Sequence, residues 1–268
     1  MTPSLDQQRS FFNTFGFLKL PGLFADAVQE LTRDFEQVFV QKGIAHDRTH
    51  RTAIVPFIDE SPALCKLLDH PKIVEAITNL VGSDFNYMGS DGNYYVGDTT
   101  WHRDGFAPSD SFIKLAFYLD PVRSDTGCLR VIPGSHTDAA MSLMEETVLR
   151  DSDRRWRLGQ GELPAVPLES DPGDVLIFKH RLLHASFGGS NERRMFTINA
   201  GRRAQTKQEI DDLIEYGDIH FRRNNMTAPY GRAMLETASP ERMAHLTQLT
   251  AYWPASVARH EARMASGG

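Results

Sequence analysis

From Asn93 to Gly201 the chain is cut into short β-rich runs, "NYYVG", "SFIKLAFYLD", "CLRVIPG", "DVLIFKH" and "RMFTINAG", each bounded by Gly, Pro, Asp or Ser. Strands this short with turn residues at every junction suit an all-β sandwich or barrel. One helical, Arg-containing insert, "DAAMSLMEETVLRDSDRRWRLG", interrupts the series. The flanks read differently. "SLDQQRSFFNTFG" carries an N-cap serine, apolar residues at helical spacing and a stop glycine. "FLKLPGLF" alternates like a brief strand, and "ADAVQELTRDFEQVFVQKG" is an amphipathic helix ending at Gly43. "SPALCKLLDHPKIVEAITNLVG" is helical with an interruption near Pro71, and after Gly201 "TKQEIDDLIEYGDIHFRR" and "SPERMAHLTQLTAYW" are helical again. The expectation is one domain, mainly β with flanking helices: a helical part over about 1–82, a β core over about 83–203 and a helical extension over about 204–268.

A formal net charge of -6 argues against a general nucleic-acid binder, whose affinity leans on excess Lys and Arg. Two cysteines, Cys65 and Cys128, are too few for a disulfide framework and fit a reducing compartment. The start of the chain has no basic stretch followed by an apolar one, and no run approaches eighteen apolar residues. A cytoplasmic location without membrane contact is expected.

The chemistry concentrates in "TTWHRDGF", residues 99–106. In extended chain residues two apart face one side, so His102 and Asp104 can converge on one ion. "GDVLIFKHRLLHAS" offers a third ligand, either His180 or His184. Two histidines and one carboxylate with open positions opposite form the facial triad of non-haem Fe(II) oxygenases. Alone, such a pair is common as a solvated turn. "DTGCLRVIPGSH" and "DPGDVLIFKHRLLHASFGGSNERRMFTINAG" follow it in order.

With these motifs the chain resembles the phytanoyl-CoA dioxygenase-like family of Fe(II)- and 2-oxoglutarate-dependent oxygenases, from "FFNTFGFLKLPGLF" to about Gly201. The resemblance implies a double-stranded β-helix, or jelly roll, holding iron on His102, Asp104 and a distal histidine. The family places that histidine directly before a small residue and a serine, which selects His184 and leaves His180 as a packed strand residue. Relatives that halogenate have a small residue where this chain keeps Asp104, so hydroxylation is favoured. The cosubstrates implied are 2-oxoglutarate and O2. The family also has an arginine after the distal histidine that grips the far carboxylate of 2-oxoglutarate through two parallel N–H donors. Arg193 and Arg194 are the candidates, and strand alternation lets only one point inward. Aligning "RMFTIN" favours Arg193, with Arg194 as a salt-bridging neighbour. Ser186 matches a family serine that can donate to a cosubstrate carboxylate.

Lys114 interrupts an apolar strand. Facing inward it needs an anionic partner, for which the cosubstrate would serve; facing outward it is a solvated edge residue. Gly127, Pro133 and Gly134 read as turn residues, and Trp101, Phe106, Phe117 and Phe196 as core. Substrate candidates are Asn93 and Tyr95, before the ligand pair, and Arg222 and Arg223 near the end; their charge hints at a small anionic molecule. The insert at 137–160 could act as a lid. Two functions compete with an oxygenase. A jelly-roll binding protein has no need of both halves of the site. A zinc hydrolase needs a base beside the metal-bound water, and no glutamate accompanies the motifs.

Overall fold

In the computed structural model, residues 3–104, 111–224 and 226–266 are described. The readings of Gly105 and Phe106 lie outside them. The strands are β1 (Phe17–Leu20), β2 (Thr52–Ile54), β3 (Phe85–Tyr87), β4 (Gly92–Tyr95), β5 (Thr99–His102), β6 (Phe112–Tyr118), β7 (Leu129–Val131), β8 (Val166–Leu168), β9 (Val175–Lys179), β10 (His184–Ser186) and β11 (Arg193–Arg202). Before the β core come helices α1 (Leu5–Phe15), α2 (Val28–Gln41), α3 (Pro62–Cys65) and α4 (Pro71–Val81). The insert forms α5 (Asp138–Leu143), α6 (Glu146–Arg150) and α7 (Ser152–Trp156). The tail forms α8 (Lys207–Asn224), α9 (Arg232–Glu236), α10 (Pro240–Ala244) and α11 (Thr247–Ala265).

Among the described residues the strands build two antiparallel sheets. The larger runs β1-β9-β6-β11-β4-β2, with β3 also paired to β11, and the smaller runs β5-β10-β7-β8. The antiparallel core with flanking helices is as expected, but helical residues outnumber strand residues, so "mainly β" needs correcting. The excess comes from the broken insert and from the long helices α8 and α11. The first helix starts as its sequence indicates: the Ser4 hydroxyl accepts from the Gln7 amide while the Gln7 side chain accepts from the Ser4 amide. The N-terminal part is not purely helical, because β1 and β2 form the two ends of the larger sheet.

Period-two alternation divides the larger sheet into two faces. Ile113, Leu115 and Phe117 of β6, Val175 and Ile177 of β9, and Phe196 and Ile198 of β11 join a helix-side core with Phe35, Val38, Phe57, Leu213 and Trp253. Phe117 and Phe196 stack there with ring centroids 4.6 Å apart. The other face contributes Ala116, Tyr118, Leu176, Phe178 and Met195 to a core shared with Leu129 and Val131 of the smaller sheet. A third cluster, Trp101, Leu163, Leu183 and Ala185, lies on the smaller sheet with Leu149 of the insert packed against it.

In sequence "NYYVGDTTWH" is strand-like up to the ligand pair. In the structure it is two strands, because Gly97 takes φ +63° and the chain passes from the larger sheet at β4 to the smaller at β5. That turn puts Tyr95 and His102 on facing sheets.

Candidate active site

The site lies between the two sheets. His102 closes β5 and His184 opens β10, and the two are paired directly across the ladder. Asp104 follows in a bend whose amide donates to the His180 carbonyl at 2.9 Å. The ligand atoms of His102, Asp104 and His184 all lie within 4.8 Å of one another. His102 Nε2 is 3.8 Å from Asp104 Oδ1, and His184 Nε2 is 3.7 Å from Asp104 Oδ2. Ligands about 2.0–2.2 Å from a common ion lie roughly 3–4 Å apart, so these separations suit one metal.

Each imidazole is held from behind. His102 Nδ1 donates to the Thr100 carbonyl at 2.8 Å and His184 Nδ1 to the Leu182 carbonyl at 2.9 Å. A carbonyl can only accept, so Nδ1 carries a proton in each ring and Nε2 is the nitrogen turned toward Asp104, the one a metal would take. Burial and the neighbouring His102 depress the His184 pKa to about 3, which keeps that ring neutral as a ligand must be. Burial would raise the Asp104 carboxyl, but Lys114 and the surrounding histidines outweigh it and hold the group well below the usual range.

Lys114 settles which way its strand faces: Nζ lies 2.8 Å from Asp104 Oδ2. Burial lowers the Lys114 pKa, and Asp104 with Asp91 more than reverses that. Its anionic partner in this structure is therefore the aspartate itself.

A narrow chamber of about 50 Å³ runs behind the three groups, walled by Tyr118, Leu129, Phe178, Ser186 and Met195 among others. Arg193 lines it. Its guanidinium is buried, Nε and Nη1 make no hydrogen bond among the described residues, and the group lies 5.3 Å from the Tyr95 ring centroid. An unpaired buried cation is costly unless an anion meets it. Arg194, one position on, turns outward and is held by Asp120 and Glu36. Ser186 also lines the chamber, with its hydroxyl donating to the Gly127 carbonyl at 2.8 Å. Its donor is therefore engaged by the backbone.

On the other side of the same groups opens a cavity of about 460 Å³, lined by Arg51, Asp91, His180, Tyr216, His220 and Arg223 among others. Tyr95 belongs to both spaces, with Arg51 4.7 Å from its ring centroid and Arg193 on it as well. Of the substrate candidates, Tyr95 and Arg223 reach the cavity. Asn93 and Arg222 do not. Asn93 is fully buried, accepting from Arg51 and donating to Asp91, so it supports two wall residues from behind. Arg222 is turned toward Asp218 and Glu215. His180 also lines the cavity, 3.1 Å from Asn199 Oδ1, and burial lowers its pKa to about 4.

Three features escape a sequence reading. Gly127 looks like a turn residue, yet a Cβ there would lie 1.7 Å from Arg193 Nη1. Gly189 is similarly tight at 2.3 Å, so the two glycines form the bed of the guanidinium. Thr99 lines both spaces, and α8 gives the cavity wall Tyr216, Ile219 and His220 beside the Arg223 that sequence had pointed to. No residue of the 137–160 insert lines either space, so the lid expectation does not hold; the insert packs against β5 instead.

The family model for phytanoyl-CoA dioxygenase matches residues 12–196. A dioxygenase from a Cladobotryum species, FrzG, is 28% identical over 118 residues, 42% of this chain and 35% of that protein. The dioxygenase lolE1 of Epichloe uncinata is 34% identical over 93 residues, 35% of this chain and 33% of that protein. These matches thus span about a third of each relative's length. Among solved structures, the 2-oxoglutarate-dependent carbocyclase SnoK of nogalamycin biosynthesis superposes with a TM-score of 0.59 at 20% identity, covering 73% of this chain and 83% of that one. EctD from S. alaskensis, solved with 2-oxoglutarate and 5-hydroxyectoine, gives 0.56 at 20% identity, covering 73% and 75%. These likenesses carry the fold.

Proposed function

The chain belongs to the phytanoyl-CoA dioxygenase family, and from that premise we propose that it is an Fe(II)- and 2-oxoglutarate-dependent oxygenase that hydroxylates an unactivated C–H bond of a small molecule. In this reading His102, Asp104 and His184 hold the iron. The observation that carries it is the buried Arg193 with unbonded donors, at a chamber that opens onto those three groups. A binding protein or a zinc hydrolase would leave that arginine without a purpose. The donor set also fits ferrous iron, since two imidazoles and one carboxylate suit a divalent ion and would leave coordination positions for the cosubstrate.

With iron and 2-oxoglutarate bound, O2 would supply the oxidising power, one of its oxygen atoms ending in succinate, formed with CO2, and the other in the substrate hydroxyl. The chain's own part is placement and exclusion of water. Arg193 pairs with the far carboxylate of the cosubstrate and Tyr95 holds the guanidinium flat. Ser186 reaches the same carboxylate after its hydroxyl turns from Gly127. Lys114 keeps Asp104 ionised and in place, and can offer a further N–H to the cosubstrate. The larger cavity takes the substrate, with Tyr95, Arg223 and Arg51 on its wall and an anionic group on the substrate matching them. The relatives' small-molecule chemistry, on nogalamycin and ectoine scaffolds, is in keeping with this size class. We further propose a cytoplasmic location without a nucleic-acid or membrane partner, in keeping with the net charge of -6 and the two cysteines. No helix among the described residues is long and apolar enough to cross a membrane.

The test is an anaerobic titration of metal-free protein with Fe(II) and then 2-oxoglutarate, following the weak visible charge-transfer band of the chelate. The band is expected in the wild type and absent in His184→Ala. Arg193→Ala should weaken 2-oxoglutarate binding by on the order of 100-fold, as expected for truncating one partner of a buried charge pair, while Arg194→Ala should leave it near wild type. Bound iron without a band would overturn the reading.

A further inference from the structure

The smaller sheet runs β5-β10-β7-β8, so among the described residues β5 is an edge strand, paired on one side only. An edge leaves backbone N–H and C=O groups unpaired, and here the edge strand ends on His102. Two outward backbone groups, one on each side of His102, are nevertheless met by side chains of α6. The Arg150 Nε donates to the Trp101 carbonyl at 2.7 Å. The Arg103 amide donates to Glu146 Oε1 at 3.0 Å. Glu146 and Arg150 stand one helical turn apart and also bond each other, Nη2 to Oε2, at 3.0 Å. One carboxylate and one guanidinium thus take the place of a missing strand on either side of His102.

A second set of contacts carries the same hold onward. The Arg103 side chain donates from Nε to the Arg181 carbonyl at 2.9 Å and from Nη2 to the Ser135 and Met144 carbonyls at 3.3 and 3.2 Å. Ser135 in turn accepts the Leu183 amide at 2.9 Å, next to His184. The insert is therefore tied to the chain on either side of His102, and Arg103 links that point onward to Arg181 and to Ser135, whose hydroxyl holds the amide next to His184.

We propose that α6 is a brace for the metal-binding strand, with Glu146 and Arg150 as positioning residues for His102 and Asp104. The proposal rests on the reading of those two side chains as metal ligands. Its physical basis is preorganisation: without the brace the end of β5 frays, and the ordering of His102 has to be supplied when the metal binds. Groups that orient ligands from behind typically account for 10–100-fold in metal affinity.

The experiment is anaerobic titration with Co(II) as a spectroscopic probe, read by its visible d–d bands, alongside amide hydrogen exchange of the metal-free protein. Wild type, His184→Ala, Glu146→Ala, Glu146→Gln, Arg150→Ala and Arg150→Lys are compared. Glu146→Ala and Arg150→Ala are each expected to weaken Co(II) binding about 10-fold or more, and Glu146→Ala to speed exchange at the Arg103 amide. Glu146→Gln still offers an oxygen to that amide and should recover most of the affinity, a rescue that general destabilisation would not show. Arg150→Lys keeps the charge without the Nε donor and should stay weakened; if the alanine variants do not fold, these two conservative variants carry the test. Wild-type affinity and exchange in the variants overturns the brace. A wild type that binds no Co(II) in a His184-dependent way overturns the ligand assignment, and the brace with it.

Discussion

Asp59 is a buried carboxyl outside the proposed chemistry. It accepts from the Tyr87 hydroxyl at 2.5 Å and from the Gly231 amide at 2.9 Å. Burial raises its pKa to about 6, against the pull of those two bonds. A carboxyl whose folded pKa lies above its unfolded value binds protons more tightly when folded, so stability is lost as pH rises between about 4 and 6 and the cost is complete above that. Asp59→Asn should therefore gain on the wild type by up to roughly 3 kcal/mol between pH 4 and pH 7, measured as the difference in urea-unfolding free energies. A difference that does not change with pH would refute it. Gly127 gives a second prediction at this scale. Gly127→Ala sets a Cβ against the Arg193 guanidinium at φ +88°; it should cost about 1–2 kcal/mol of stability for the left-handed backbone and about 10-fold or more in 2-oxoglutarate affinity, read by the same titration. Residue identity alone reveals neither effect. Lys114 is conspicuous in sequence because it breaks an apolar run, yet only the register of β6 shows that it meets Asp104. Choosing His184 over His180 took the family's spacing, since both follow the same strand and both are buried.

Among elements, the pairing of α8 with α11 has the clearest energetic signature. Asp218 on α8 is fully buried at its side chain, with Arg222 Nε at 3.4 Å, Arg263 Nε at 3.2 Å and His260 Nδ1 at 3.5 Å. Nearby Glu215 meets Arg259 and Arg263 from α11. These contacts fasten the last helix to the one that walls the cavity. Asp218→Asn removes the charge that two guanidinium groups share and should lower stability by about 1–3 kcal/mol, with faster proteolysis or exchange in α11 before the β core opens; a wild-type urea midpoint would contradict this. Most helices were legible from apolar spacing and caps, because those signals act within one turn of chain, but "SPERMAHLTQLTAYW" is split into α10 and α11, and α11 continues through Pro254 to Ala265. Where α8 docks was not legible, since its apolar stripe does not name its partner. The break between β4 and β5 was hidden for the related reason that a turn glycine such as Gly97 marks a bend but not the sheet to which the chain goes next.

Across the whole molecule, period-two alternation gives the larger sheet one face for helices and one for chemistry. Polar residues on its strands are therefore visible as exceptions to an apolar pattern. The layering was readable in that sense, whereas the proportion of helix was not. A sheet with one open face needs covering, and sequence does not say how much chain is spent on it. The wall between the two spaces has a further consequence. Tyr95, Thr99, His102, Asp104 and Lys114 line both, so whatever enters the larger cavity touches the side chains that border the smaller. Any molecule that shifts this shared wall changes the affinity for 2-oxoglutarate, and by reciprocity 2-oxoglutarate changes that molecule's affinity by the same factor. Cosubstrate binding can thus report an unknown substrate before any product is formed.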